Sequence, residues 1–232
     1  VGSFKAVLTW LRIMNPLAYL LTSLLLIGAI CACQSASETH TVSNAEPTVV
    51  DQAVALPKAL PYDTARLQRE SFGGRPILFY LRHPQIPQVA KDLYLGRAEP
   101  ADDDQTLALM DSVFTKNTVT QPFYFLVLTR TMPVADGAYA EPLGLMVKEF
   151  IEQQPARFAG YFLTEKLLTS KDFDNWAEFV AMEFHRDNED NEASASAAWA
   201  KDQLAHCTNC SAAGQNKLRE FTELVGRWRP SS

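Results

Sequence analysis

Apolar residues recur at helical spacing through much of the chain after residue 60. Leu143, Met146, Val147, Phe150 and Ile151 fall at i, i+3, i+4, i+7 and i+8, with Lys148, Glu149 and Glu152 opposite them. That is the pattern of a helix with one buried face. Pro142 is expected in its first turn, where a missing N–H costs nothing. Pro155 closes this helix or opens the next, which carries Phe158, Tyr161, Phe162 and Glu165. Upstream, Asp102, Asp103 and Asp104 precede Leu107, Leu109, Met110 and Phe114, and carboxylates in that position cap a helix and complement its dipole. Between Asp174 and Asn188, Trp176, Phe179, Val180 and Phe184 share one face. A last stripe, Leu218, Phe221, Val225 and Trp228, belongs to a helix opening near Ser211, with Arg227 and Arg229 suited to its C-terminal end.

Two segments resist this reading. Pro76 to Leu81 and Pro122 to Leu128 are apolar on every side and rich in strand-favouring residues. Each is either a buried helix started by its proline or a short strand, and the helical neighbours favour helix. Gly73-Gly74 reads as a turn before Pro76. The expected fold is therefore all-α, a single bundle-like or helical-array domain, with a small sheet as the open alternative. A faint helix-pair rhythm crosses residues 102–168, but no repeat consensus accompanies it.

The organisation follows from where apolar density begins. Residues 60–229 are dense in aliphatic and aromatic side chains, and a stretch of that length suffices for one self-sufficient core. Residues 34–57 are instead rich in Ser, Thr, Ala and Pro. Such a stretch cannot bury enough apolar surface to offset its chain entropy, so residues 33–59 read as a flexible linker.

Residues 1–32 have the layout of a secretory leader. Lys5 and Arg12 supply a positive start, and Leu17 to Ile30 is an uncharged apolar run. That run is shorter than the roughly 20 residues an upright membrane-spanning helix needs. Ile30, Ala32 and Cys33 then occupy the first, third and fourth places of a lipobox, with Cys31 in the second. In this leader the chain resembles the bacterial lipoprotein signal family. The resemblance implies cleavage after Ala32 and acylation of Cys33, and Gln34 in place of an aspartate favours the outer membrane, facing the periplasm. Plain secretion by cleavage after Ala32, or an uncleaved anchor extended by Leu11 and Ile13, are the alternatives.

Removing the leader takes away Lys5 and Arg12 and leaves 19 basic residues against 27 acidic ones, a formal net of −8. That balance argues against nucleic acid as a partner, since basic patches supply most non-specific affinity for it. It equally disfavours electrostatic docking on anionic lipid. Membrane attachment is left to the acyl chains, at roughly 0.8 kcal/mol per buried methylene.

With Cys33 acylated and Cys31 removed, Cys207 and Cys210 have only each other, and outside the cytoplasm an isolated pair is expected to form a disulfide. So short a loop contributes at most roughly 2 kcal/mol through chain entropy. The alternative is a thiol–disulfide redox module, because a helix N-terminus lowers thiol pKa in a C-x-x-C pair. A thioredoxin-like site, however, follows an early strand of a βαβ unit. A zinc site would recruit His206 and His185 to the two thiols, but His206 adjoins Cys207 and so shares an ion with it only by an unusual backbone path.

Other templates are missing. Ser71 sits beside Gly73-Gly74 without forming a G-x-S-x-G elbow, and there is neither a phosphate-cradling loop nor a dinucleotide fingerprint. The run Asp187 to Glu192 lacks the sixth-position glycine of an EF-hand and reads as a solvated acidic loop. His83 precedes Pro84 in a proline-punctuated loop. Glu183 falls inside the apolar stripe of its helix while His185 points nearly opposite, so the two cannot serve one site. An arginine partner is the ordinary explanation for such a glutamate; a raised-pKa acid is the sharper one. No catalytic residue, metal or cofactor is assigned. The expectation is a lipid-anchored cell-envelope protein whose helical domain binds an envelope or exported protein, as an accessory or immunity module.

Overall fold

The computed structural model describes residues 62–187 and 191–229. The leader, Cys33, the linker over 33–59 and residues 188–190 of the acidic run lie outside the described residues. The described part is all-α. Its helices are α1 (Thr64–Arg69), α2 (Ile77–Arg82), α3 (Gln88–Tyr94), α4 (Asp104–Ser112), α5 (Gln121–Thr131), α6 (Gly137–Gln153), α7 (Pro155–Thr164), α8 (Ser170–Asp187), α9 (Glu192–His206) and α10 (Ala212–Arg227). Among the described residues the only strands are β1 (Ser71–Phe72) and β2 (Arg75–Pro76), an antiparallel pair with Phe72 opposite Arg75. Gly73 and Gly74 turn this hairpin at φ of 56° and 75°, a conformation that costs glycine little.

Both ambiguous segments are helices, each entered through a proline that sets the backbone and needs no donor. The all-round apolar pattern of α5 has a simple cause: Phe123 through Leu128 are all buried, so this helix is the axis of the core. Around it the aromatic rings close in. Phe125 lies 4.6 Å from both Tyr161 and Trp176, 5.3 Å from Phe150 and 6.2 Å from Phe72, measured between ring centroids. The chain therefore wraps α5 with the hairpin, α6, α7 and α8. Polar groups of α5 that point inward are paired, as burial requires. Tyr161 Oη–H donates to Gln121 Oε1 at 2.7 Å, and Gln121 Nε2–H donates to the Val113 carbonyl at 2.9 Å.

Helix starts and stops follow the local chemistry. Asp103 caps α4 by accepting from the Thr106 N–H at 2.8 Å, and this bond holds its carboxyl below the usual range. α6 departs from expectation. It begins at Gly137, so Pro142 sits inside the helix rather than in its first turn. Tertiary contact overrides the proline signal: Tyr139 is buried, and its hydroxyl shares a 2.8 Å hydrogen bond with that of Thr131. Phe114, Glu165 and Trp228, expected on helices, lie just past the ends of α4, α7 and α10.

Candidate functional site

Three features of the surface and core carry chemistry, and the C-terminal helix pair holds the first. α9 ends at His206, and Ser211 caps α10 by accepting from the Gly214 N–H at 3.1 Å. Cys207 and Cys210 bridge that turn with their sulfurs at bonding distance and their Cα atoms 5.3 Å apart. Cys207 is buried, whereas Cys210 is half-buried and stands one residue before the α10 cap. A shallow cleft of about 360 Å³ beside them is lined by residues including Gln154, Arg157, His206 and Asn209. His206 lies 3.3 Å from Asp202 and His185 lies 3.1 Å from Glu192, so each histidine faces a carboxylate of α9. Among the described residues no three side chains of the metal-binding types gather around one point.

The second feature is Glu183 on α8. Its side chain is 4% exposed and is paired with the Arg186 guanidinium one turn on. Arg186 also reaches within 3.7 Å of Glu141 on α6. The carboxylate is seated against Gly144 of α6, where an added Cβ would collide with Oε1 and come within 3.1 Å of Cδ. Burial raises the Glu183 pKa, an effect that Arg186 opposes, Asp187 adds to and Lys148 opposes. His185 is exposed, as its opposite placement on the helix requires.

A raised native pKa means that the folded chain holds this proton more tightly than the unfolded chain does. The contribution of Glu183 to stability is therefore full below the ordinary carboxylate range and is lost as pH rises through the raised value. Glu183→Gln removes that slope. Urea unfolding of both proteins at about pH 4 and about pH 7 should show the glutamine variant gaining on the wild type as pH rises. A difference that stays constant between the two pH values would show that burial does not shift this group.

The third feature is a groove between α4 and α6. Leu107, Met110, Phe114, Leu145 and Met146 form its floor and walls, and it encloses about 430 Å³. Leu145 is 50% exposed and, with Val134 and Leu163, is one of three large apolar side chains left exposed among the described residues. Asp104, Asp111 and Glu149 stand on the rim, and among the described residues no cation lines it. The sequence carries a signal for this groove in Leu145, an apolar residue on the polar face of α6. Two further depressions differ in character. One of about 440 Å³ beside α2 is lined by Phe79, Arg82, His83 and Pro84 among others. There His83 Nδ1 accepts from the Gln85 N–H at 3.3 Å, and the Arg75 guanidinium lies 4.6 Å from the Phe79 ring centroid. The other, of about 500 Å³, brings Arg130 together with Glu99 and Asp136. Ser71 lies exposed at the start of the hairpin, paired in register with Pro76.

Comparison with protein-family models, with characterised proteins and with solved structures gives no match. Among the described residues no helix is long and apolar enough to cross a membrane.

Proposed function

We propose that this protein is a lipid-anchored component of a bacterial cell envelope, held through Cys33, whose helical domain is a protein-interaction module. Ile30-Cys31-Ala32-Cys33 at the end of the apolar run from Leu17 supports the anchor, and Gln34 in place of an aspartate favours outer-membrane attachment facing the periplasm by resemblance to bacterial lipoprotein signals. The observation that carries the interaction half is the α4–α6 groove, with a half-exposed leucine over an apolar floor. Exposed apolar grooves rimmed by polar groups are how soluble domains meet partners. The partner is an envelope or exported protein, since those share the compartment. In this reading the Cys207–Cys210 bond is a staple across the α9–α10 turn.

Cys33→Ser tests the anchor. Metabolic labelling with a radioactive fatty acid should mark the wild type and not the variant, and the variant should leave the membrane fraction. Unchanged labelling together with unchanged membrane association would refute lipidation at Cys33. Cross-linking in native envelopes followed by mass spectrometry tests the other half, which loses its support if no partner recurs.

A further inference from the structure

We propose that the α4–α6 groove is the docking site, and that its occupant is a cationic amphipathic helix of the partner protein. This rests on the interaction reading above and names its surface and its ligand chemistry. On α6, Glu141, Leu145 and Glu149 succeed one another at i, i+4 and i+8, and all three are exposed. On α4, Asp104, Ala108 and Asp111 occupy i, i+4 and i+7, again all exposed. Residues so spaced lie along one helix face. The groove is thus an apolar channel between two acidic edges, lined by Leu107, Phe114 and Met146 within.

An amphipathic helix laid in such a channel buries its apolar stripe on the floor while its flanking residues meet the edges. Carboxylates on both edges select lysine or arginine on both flanks and repel acidic helices. Of the charged residues that line the groove, Asp104, Asp111 and Glu149 are all acidic, while Glu141 at the end of the α6 edge is approached by Arg186 of α8 at 3.7 Å. The chain's own linker is excluded as occupant by charge, because residues 34–59 carry Glu38, Glu46 and Asp51 against Lys58 alone. A membrane surface is excluded on the same ground, since anionic headgroups would face Asp104, Asp111 and Glu149.

The test uses the full mature chain carrying Cys33→Ser, which keeps lipid out of the assay. Its probe is a fluorescent leucine–lysine peptide of about four helical turns, compared with a leucine–glutamate peptide of the same pattern. Anisotropy titration should show the lysine peptide binding at least about tenfold more tightly than the glutamate peptide, a margin of about 1.4 kcal/mol. Added salt should narrow that margin. Leu145→Lys should abolish binding, and the pair Asp111→Asn with Glu149→Gln should weaken it about fivefold or more. Asp202→Asn with Glu223→Gln, the same charge change on α9 and α10, should leave it unchanged. All these positions are exposed, and circular dichroism checks that each variant is folded.

Equal affinity for the two peptides overturns the proposal, as does no binding. So does unaltered binding by Leu145→Lys, which would place the peptide elsewhere on an acidic surface. Self-association of the chain by sedimentation, lost in Leu145→Lys, would assign the groove to a second copy and equally overturn it. Envelope cross-links that recur but map away from α4 and α6 would remove the groove while leaving the interaction reading standing.

Discussion

Trp176→Ala should cost about 3–5 kcal/mol of unfolding free energy, the range for deleting a large buried aromatic. Trp176 is fully buried on α8. Its ring stacks on Phe125 at 4.6 Å with the planes 21° apart, and lies 5.3 Å from Phe158 and 5.8 Å from Phe150. Its Nε1–H donates to Thr129 Oγ1 at 3.0 Å, and that hydroxyl donates onward to the Phe125 carbonyl at 2.8 Å. The alanine variant therefore opens a cavity against the axial helix and strips a buried hydroxyl of one partner. Trp176→Phe separates the two effects. It keeps most of the packing, so its loss should be about 1–2 kcal/mol, a hydrogen bond plus a small void. Urea unfolding measures both. An alanine variant within about 1 kcal/mol of the wild type would contradict a central role for the contact between α5 and α8.

Gly73→Ala should cost about 2–4 kcal/mol, combining left-handed strain with overpacking. The hairpin turn leans on the start of α5. A Cβ at residue 73 would lie 2.5 Å from Pro122 Cβ, 2.6 Å from Pro122 Cγ and 3.2 Å from the Tyr80 hydroxyl. The proline ring is tied to the backbone of the core helix and cannot swing aside. Tyr80 is itself committed, donating to the Phe72 carbonyl at 2.8 Å, and burial pushes its hydroxyl pKa up to about 12. Gly74→Ala is the matched control. Its φ of 75° is also left-handed, but among the described residues no atom comes within 4 Å of the added carbon. It should lose only about 1 kcal/mol. Thermal unfolding of the two variants gives the comparison, and equal losses would show that the contact with Pro122 is not close enough to matter.

The legible parts of the fold are those whose buried face is apolar. α6, α7, α8 and α10 announce themselves by stripes that the structure buries, from Leu143 and Phe158 to Trp176 and Phe221. α9 gives no such signal because its buried face is Ser196, Trp199 and Gln203. Only the tryptophan is apolar, and it is held as much by its Nε1–H donating to Glu152 at 2.9 Å as by its edge contact with Phe184. Helices α1 and α3 are 6 and 7 residues long, too short for a 3.6-residue period to stand out. The cysteine pair is legible because, with Cys31 and Cys33 set aside, each cysteine has only the other as a partner, and the turn between α9 and α10 brings their Cα atoms to 5.3 Å. The groove is less so: Leu145 is visible as an apolar intruder on a polar face, but Leu107 and Phe114 opposite it meet α6 only through the tertiary packing.

The seat of Glu183 ties two distant positions into one steric unit. Gly144 and residue 183 share the volume of a single side chain at the crossing of α6 and α8. A β-carbon at 144 would push the Glu183 carboxylate, the movable end of its side chain, off its seat beside Arg186, whereas glycine at 144 leaves it in place. Change at either position alone is opposed by loss of that seat or by a void, whereas a paired exchange keeps the helices at the same separation. In descendants of this sequence the two positions should drift together, although they belong to helices that are not consecutive in the chain.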